Sequence, residues 1–253
     1  ATRSYDKAVQ LAPGDASIYN SCGYSFHMQG NDAAAVRDYD RSIKLDPKQR
    51  TAYVNRAESY YDMGLYDRAL ADIGTALAFD PTKPLAYYLR GNVLLKQGRT
   101  SEALADYDHA IAIDPKTAEA YSARCYVHAF AGDISHALVD CDRALALKPN
   151  DPRGLGNRGY AYLRSGSLDN AIADYSAALR QGPQRAEYLC GRAMAYLRKG
   201  DKAAAERDLA AAHAVDPTIE QKIVALRLLV PGDSIAEQEG DQPGRRLQPG
   251  RNN

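Results

Sequence analysis

Apolar and small residues recur along the chain with helical spacing, in stretches of about fourteen residues that end at a glycine or a proline. The two kinds of breaker alternate, and each recurs every 34 residues: Gly30, Gly64, Gly98, Gly132, Gly166 and Gly200, and Pro13, Pro47, Pro81, Pro115, Pro149, Pro183 and Pro217. Glycine can close a helix in the left-handed conformation, and proline cannot continue one. The pattern therefore predicts a helix, a tight turn and a second helix, copied along the chain.

Small and large residues alternate at fixed positions of this unit, which we count from Ala16. Position 8 holds Gly, Ala or Cys and position 20 is always Ala, whereas positions 4 and 24 hold tyrosine in several units. Small residues let neighbouring helices approach closely, and large residues fill the remaining gaps. Six complete units follow from this count, and we number them 1 to 6: residues 16–49, 50–83, 84–117, 118–151, 152–185 and 186–219.

These positions resemble the tetratricopeptide repeat, with a bulky residue at 4, Gly or Ala at 8, Ala at 20, an aromatic residue at 24, Ala at 27 and Pro at 32. The resemblance spans residues 16–219 and implies an all-α fold, a right-handed α-solenoid of stacked helix-turn-helix units. The chain has no tryptophan, so the Trp usual at position 4 is absent and Tyr or Leu stands there. This departure leaves the expected fold unchanged.

The ends of the chain depart from the full repeat. Residues 1–15 match the second half of a unit, so we expect the second helix of a truncated repeat there and at least one further helix upstream in the parent protein. Residues 220–230 keep an apolar helical stripe and are predicted to form a capping helix. Residues 231–253 are polar and rich in Pro and Gly, which predicts a disordered tail.

Composition excludes some classes of partner. Lys plus Arg and Asp plus Glu number 32 each among 253 residues, so the chain offers no net field for nucleic acid or an anionic membrane. An apolar run of the length that spans a membrane is missing, which argues against membrane insertion. The four cysteines follow no CxxC pattern and are expected to be packed thiols. Localisation stays open, with a slight preference for the cytoplasm.

Catalytic, cofactor and metal sites are not predicted. Residues 154–159 satisfy GxGxxG, but a turn precedes them in place of a buried strand, and Gly159 is the small position 8 of unit 5. Carboxylates two residues apart, such as Asp38 and Asp40, point in nearly opposite directions on a helix and cannot share an ion. The five histidines show no metal-binding spacing. We therefore expect a chain that is not an enzyme.

Regularly placed charges predict a structural ladder. Arg recurs at position 7 of units 2 to 6, and Asp recurs at position 23 of every unit. Pairing each Asp with the Arg of the following unit uses all five arginines, as in Asp72 with Arg90. We therefore expect partly buried ion pairs between neighbouring units.

The surface left for function is the concave face, which in the resembling family is lined by the first helices, chiefly at positions 2, 5, 6, 9, 12 and 13. Aromatic residues with interspersed amides suit an extended peptide, because they offer rigid apolar contact and bond its backbone. The predicted peptide-binding residues are Tyr24, Asn55, Tyr61, Tyr88, Asn92, Tyr126, Phe130, Asn157, Tyr160, Arg164 and Arg198. Since the acidic side chains lie towards unit 2 and the arginines towards unit 6, we expect the acidic part of a ligand over the last units.

Three functions follow from this surface. The first is a non-catalytic scaffold that binds a protein or peptide partner in the concave groove. The second is the repeat arm of a larger enzyme such as a glycosyltransferase, because the resembling family also occurs fused to catalytic domains. The third is self-assembly into a homo-oligomer through end-to-end contacts of the exposed half repeat and the apolar cap.

Overall fold

The computed structural model describes residues 7, 10–181 and 185–219, and these residues form an all-α solenoid. The described chain contains twelve helices and no strand. In order they are α1 Ala16–His27, α2 Asp32–Leu45, α3 Arg50–Asp62, α4 Tyr66–Phe79, α5 Pro84–Lys96, α6 Thr100–Ile113, α7 Ala118–Ala131, α8 Ile134–Leu147, α9 Pro152–Ser165, α10 Leu168–Arg180, α11 Ala186–Lys199 and α12 Lys202–Val215. The predicted capping helix and tail, and most of residues 1–15, lie outside the described residues.

Each odd-numbered helix ends one to three residues before the predicted glycine. The six glycines between the two helices of a pair have φ between 73° and 93°, as Gly30 and Gly132 illustrate at the two extremes. An L side chain strains this conformation, which explains why only glycine stands there. Consecutive helices pack against each other, and the odd-numbered helices of neighbouring units also touch. The repeat thus places its first helices side by side along one surface.

Within a unit, two residues that are 16 apart in sequence lie opposite each other on the first and the second helix. At Gly91, an added Cβ would lie 2.5 Å from the ring of Tyr107, so only glycine leaves room for this buried tyrosine. Position 8 therefore needs a small residue wherever position 24 is an aromatic ring. In unit 4 the same two places hold Cys125 and Cys141, which form a disulfide with a Cα–Cα distance of 5.4 Å.

The disulfide corrects the expectation of four packed thiols. Cys125 and Cys141 are covalently joined, whereas Cys22 and Cys190 are buried thiols outside the disulfide. The four cysteines match no CxxC pattern, and their spacing along the sequence does not show which of them lie side by side. Two cysteines on antiparallel helices are bridged when their Cα atoms lie about 5.5 Å apart, which only the register of the pair reveals.

The predicted pairing of the ion-pair ladder is wrong. Arg90 donates to both oxygens of Asp106 in its own unit, at 2.8 and 2.6 Å, and Asp72 instead accepts from Arg56 at 2.7 Å. All five position-7 arginines pair in this way with the Asp 16 residues further on. The ladder also reaches between units, because four of these arginines donate as well to position 25 of the preceding unit, three of them to an aspartate and Arg192 to the hydroxyl of Ser176.

The described helices include none that is both long and apolar enough to span a membrane.

Candidate functional site

A cavity of about 410 Å³ lies on the side of the first helices and runs from unit 2 to unit 6. Six of the eleven predicted binding residues line it: Tyr61, Tyr88, Asn92, Tyr126, Asn157 and Tyr160. The other five, Tyr24, Asn55, Phe130, Arg164 and Arg198, are outside its lining. The structure thus brings these six residues together around one space, whereas the other five lie outside it. We call this space the groove cavity.

Tyrosine rings dominate the wall of the groove cavity. The rings of Tyr126 and Tyr160 lie 5.7 Å apart, and those of Tyr88 and Tyr107 lie 6.3 Å apart. Burial, assisted by neighbouring tyrosines, raises the pKa of Tyr61 and of Tyr126 to about 12. The two hydroxyls therefore stay protonated at neutral pH and remain available as hydrogen-bond donors.

Three tyrosines of the cavity were missed by sequence reasoning. Tyr107 and Tyr175 occupy position 24, which was assigned to the framework, and Tyr188 lies at a position outside the expected concave set. The two framework rings are buried between the helices of a pair, and their outer ends reach the cavity. Position 24 correctly predicted that these tyrosines pack between helices, but it could not show that the same rings also line the cavity. Tyr160, in contrast, is only 5% exposed and contributes little open surface.

The predicted asparagines are partly engaged in bonds between units and helices. Asn55 donates to the side chain of Asn20 at 3.1 Å, and Asn157 donates to the backbone and hydroxyl oxygens of Ser122 at 2.9 and 3.0 Å. Asn92 accepts from the Tyr107 hydroxyl at 2.9 Å. An amide group has two donor hydrogens and an acceptor oxygen, so each retains bonding capacity. Asn92 and Asn157 present that capacity inside the cavity.

The predicted arginines at position 13 cap helix ends. Arg164 donates to the carbonyl of Phe130 at 3.4 Å and to the Tyr160 hydroxyl at 3.1 Å, and Arg198 donates to the carbonyl of Leu163 at 2.8 Å. The last carbonyls of a helix have no partner within it, and a cation there also complements the helix dipole. Both arginines thus support the junction between units, a role that the sequence analysis did not anticipate.

Charged side chains ring the groove cavity. Lys96, Lys148, Arg153 and Arg185 bring positive charge, and Glu119 and Glu187 are among the acidic lining residues. Lys148 forms an ion pair with Glu119. The exposed Arg153 of unit 5 donates to the hydroxyl of Tyr88 in unit 3 at 3.3 Å, so it reaches past an intervening unit.

The remaining two predicted residues differ in exposure. Tyr24 of unit 1 is 49% exposed, and Phe130 of unit 4 packs beside Tyr126 with ring centroids 6.1 Å apart. Both lie on first helices, but neither reaches the groove cavity. They belong to the aromatic surface of the first helices but not to the groove cavity.

Comparison with protein families identifies the repeat. A model described as "Tetratricopeptide repeat" matches residues 54–118, and one described as "TPR repeat" matches residues 159–200. The chain belongs to the tetratricopeptide repeat (TPR) family. Comparison with curated proteins finds no match.

Solved structures share the fold. A chain of the APC/C hetero-tetramer Cut9–Hcn1 is 21% identical with a TM-score of 0.81, over 89% of this chain and 45% of that chain. The present chain thus spans less than half the length of that protein. A TPR protein from Parabacteroides merdae ATCC 43184 is 20% identical with a TM-score of 0.69, over 90% and 91%. YrrB, described as a TPR protein with an unusual peptide-binding site, is 22% identical with a TM-score of 0.50, over 75% and 97%.

Proposed function

We propose that this chain is a non-catalytic scaffold that binds an extended peptide segment of a protein partner in the groove cavity. TPR proteins serve in general as protein-interaction scaffolds, and the proposal here is the location and the kind of ligand. A fold alone does not determine a function, so the argument depends on the residues of the cavity.

The observation that carries the proposal is the concentration of tyrosine in one elongated space. Seven tyrosines from units 2 to 6 line it: Tyr61, Tyr88, Tyr107, Tyr126, Tyr160, Tyr175 and Tyr188. Tyrosine supplies a large apolar face at low cost in side-chain entropy and a hydroxyl for bonding a backbone. Asn92 and Asn157 add donors and acceptors on the same wall. YrrB provides a precedent for peptide binding by a solenoid of this fold.

The two other functions have less support. A fused catalytic domain and end-to-end assembly would both use surfaces at the ends of the solenoid, whereas the cavity extends along units 2 to 6. Either function is compatible with a peptide in the groove cavity. Light scattering over a concentration series tests self-assembly directly.

The test is peptide selection followed by mutation of the cavity. Random 12-residue peptides displayed on phage are selected on the chain, and the affinity of the selected peptides is then measured by calorimetry. We expect Tyr88→Ala and Tyr126→Ala each to weaken binding by about 1–3 kcal/mol, as aromatic anchors do. Circular dichroism should show unchanged helicity in both variants.

Tyr162→Ala is the matched control, because Tyr162 lies on first helix α9 but is outside the cavity lining. This variant should bind the peptides as the unmodified chain does. Full affinity in the Tyr88→Ala/Tyr126→Ala double variant, or an equal loss in the control, would reject the groove cavity as the binding site.

A further inference from the structure

A histidine and several carboxylates meet where unit 1 joins unit 2. His27 ends α1, Asp32 begins α2 and Asp62 ends α3, and one ligand atom from each lies within 4.8 Å of the other two. The His27 Nδ1 atom lies 2.7 Å from Asp32 Oδ1 and 4.0 Å from Asp62 Oδ2. Glu58 precedes Asp62 by one helical turn and shares its face of α3. We call these four residues the His27 cluster.

The His27 cluster holds more negative than positive charge. Within the described chain, no Lys or Arg forms an ion pair within 4.0 Å with the carboxylates of Asp32, Glu58 or Asp62. Carboxylates gathered in this way are stabilised by a cation placed among them.

A second observation comes from the core next to the cluster. Tyr39 is completely buried, and its hydroxyl has no hydrogen-bond partner among the residues that the structure describes. The equivalent Tyr107 of unit 3 donates to Asn92, but the residue in that place of unit 1 is Tyr24. The ring of Tyr39 packs against Gly23, one helical turn before His27 on α1, where an added Cβ would lie 2.6 Å from it. The buried ring thus lies next to the turn of α1 that carries His27.

An unpartnered buried hydroxyl is costly, which indicates that a polar ligand completes this site. Zinc accepts both imidazole nitrogen and carboxylate oxygen in a four-coordinate site, whereas calcium takes six to eight oxygens and does not favour an imidazole ligand. The half-exposed side chain of Asp62 has room to turn towards the imidazole.

We propose that His27, Asp32 and Asp62 bind one zinc ion, with Glu58 as a further carboxylate and the Tyr39 hydroxyl donating to the oxygen atoms around the metal. The ion takes the place of the proton between His27 Nδ1 and the Asp32 carboxylate. The imidazole stays neutral and carries its proton on Nε2. Because the ligands come from three helices of two units, zinc would cross-link unit 1 to unit 2. This proposal is independent of peptide binding in the groove cavity.

Calorimetric titration with ZnCl2, after dialysis against EDTA and then metal-free buffer, tests the site. We expect one ion per chain, with affinity reduced at least about tenfold in Asp62→Asn and in His27→Ala. Tyr39→Phe should also bind zinc more weakly than the unmodified chain. A parallel titration with CaCl2 should give no comparable binding. Since Asp62 is half exposed, Asp62→Asn is expected to keep its fold, which circular dichroism checks.

His136→Ala is the matched control, because the Nδ1 atom of His136 also bonds an aspartate, Asp133, at 2.8 Å, but with a single carboxylate. Zinc affinity should be unchanged in this variant. The proposal is overturned if the chain does not bind zinc, if Asp62→Asn and His27→Ala bind it as tightly as the unmodified chain, or if only His136→Ala loses it. Unchanged affinity in Tyr39→Phe would contradict the part given to its hydroxyl.

Discussion

At the scale of single residues, the paired arginines show what spacing can and cannot predict. The sequence predicted correctly that position 7 and position 23 form partly buried ion pairs. It assigned them to the wrong units, because a 34-residue period allows either partner. The turn at the glycine settles the choice by bringing residues 16 apart face to face, as in Arg90 with Asp106. In unit 1 the arginine is absent, because position 7 is Cys22. Asp38 stands at position 23 of this unit, and burial raises the pKa of its carboxyl group.

Arg90→Ala should destabilise the chain by about 2–4 kcal/mol, since it leaves the carboxylate of Asp106, only 8% exposed, without its bidentate partner. Chemical denaturation measures the loss. Arg99→Ala is the control, because Arg99 pairs with Glu102 on the exposed surface and its loss should cost much less than that of Arg90.

A double-mutant cycle then tests the corrected pairing. Arg90 should couple strongly with Asp106 and weakly with Asp72, whose partner is Arg56. The opposite result would restore the pairing between units.

Glu58 predicts an unusual pH dependence. Burial raises its pKa above the usual 4.5, so the folded chain holds this proton more tightly than the unfolded chain does. The resulting stability is present below the unfolded pKa and is lost as pH rises through the folded pKa. In EDTA, the melting temperature of Glu58→Gln relative to the unmodified chain should therefore increase between pH 4 and pH 7.

Glu102→Gln provides a control of opposite sign. Hydrogen bonds from Arg99 lower the pKa of Glu102, so its contribution is present above the unfolded pKa and is lost as pH falls. Its substitution should lower relative stability between pH 4 and pH 7. Parallel pH profiles in the two variants would contradict the assignment of Glu58.

At the scale of helices, the period and the two breakers predicted every helix pair in the described chain, because glycine and proline act locally. The close packing between helices was predictable from the small residues, as for Gly91 against Tyr107. The disulfide was not, since it depends on the distance between α7 and α8. Disulfides are most common in proteins of oxidising compartments, so this bond argues against the slight preference for the cytoplasm.

Breaking the disulfide should lower stability. It closes a loop with a sequence separation of 16, for which the chain-entropy estimate is about 3 kcal/mol. We expect Cys125→Ala/Cys141→Ala to melt at a lower temperature and to be insensitive to dithiothreitol, whereas Cys190→Ala stays sensitive. Ellman's reagent under denaturing conditions should titrate two thiols in the unmodified chain, because the disulfide uses the other two of its four cysteines. Four titratable thiols would contradict the bond.

At the scale of the whole molecule, the sequence predicted which helices face the cavity but not where the cavity begins and ends. Position numbers treat all units alike, so Tyr24 and Tyr88 were given the same weight. The structure distinguishes them, because residues of units 2 to 6 enclose the cavity, whereas Tyr24 of unit 1 lies outside it and is half exposed. Position 13 was similarly ambiguous, since its arginines bond the end of the first helix of the preceding unit.

The distribution of charge along the solenoid leads to a prediction that depends on the proposed peptide function. Arg153 and Arg185 are exposed and line the cavity, whereas Glu58 and Asp62 are not among its lining residues. An acidic peptide should therefore place its carboxylates near Arg153. Arg153→Glu should slow association of acidic peptides and change its salt dependence, because exposed charges chiefly steer binding. Thermal stability should change by less than about 0.5 kcal/mol, as for most surface substitutions.

Arg143→Glu makes the same change of charge on an exposed position of second helix α8, away from the cavity lining. Stopped-flow measurements on both variants separate a local effect from the effect of net charge. If acidic peptides meet the groove cavity at Arg153, only Arg153→Glu lowers the association rate strongly. Equal rates in the two variants would mean that the overall charge of the solenoid, and not the side chain that reaches from unit 5 towards Tyr88, attracts the ligand.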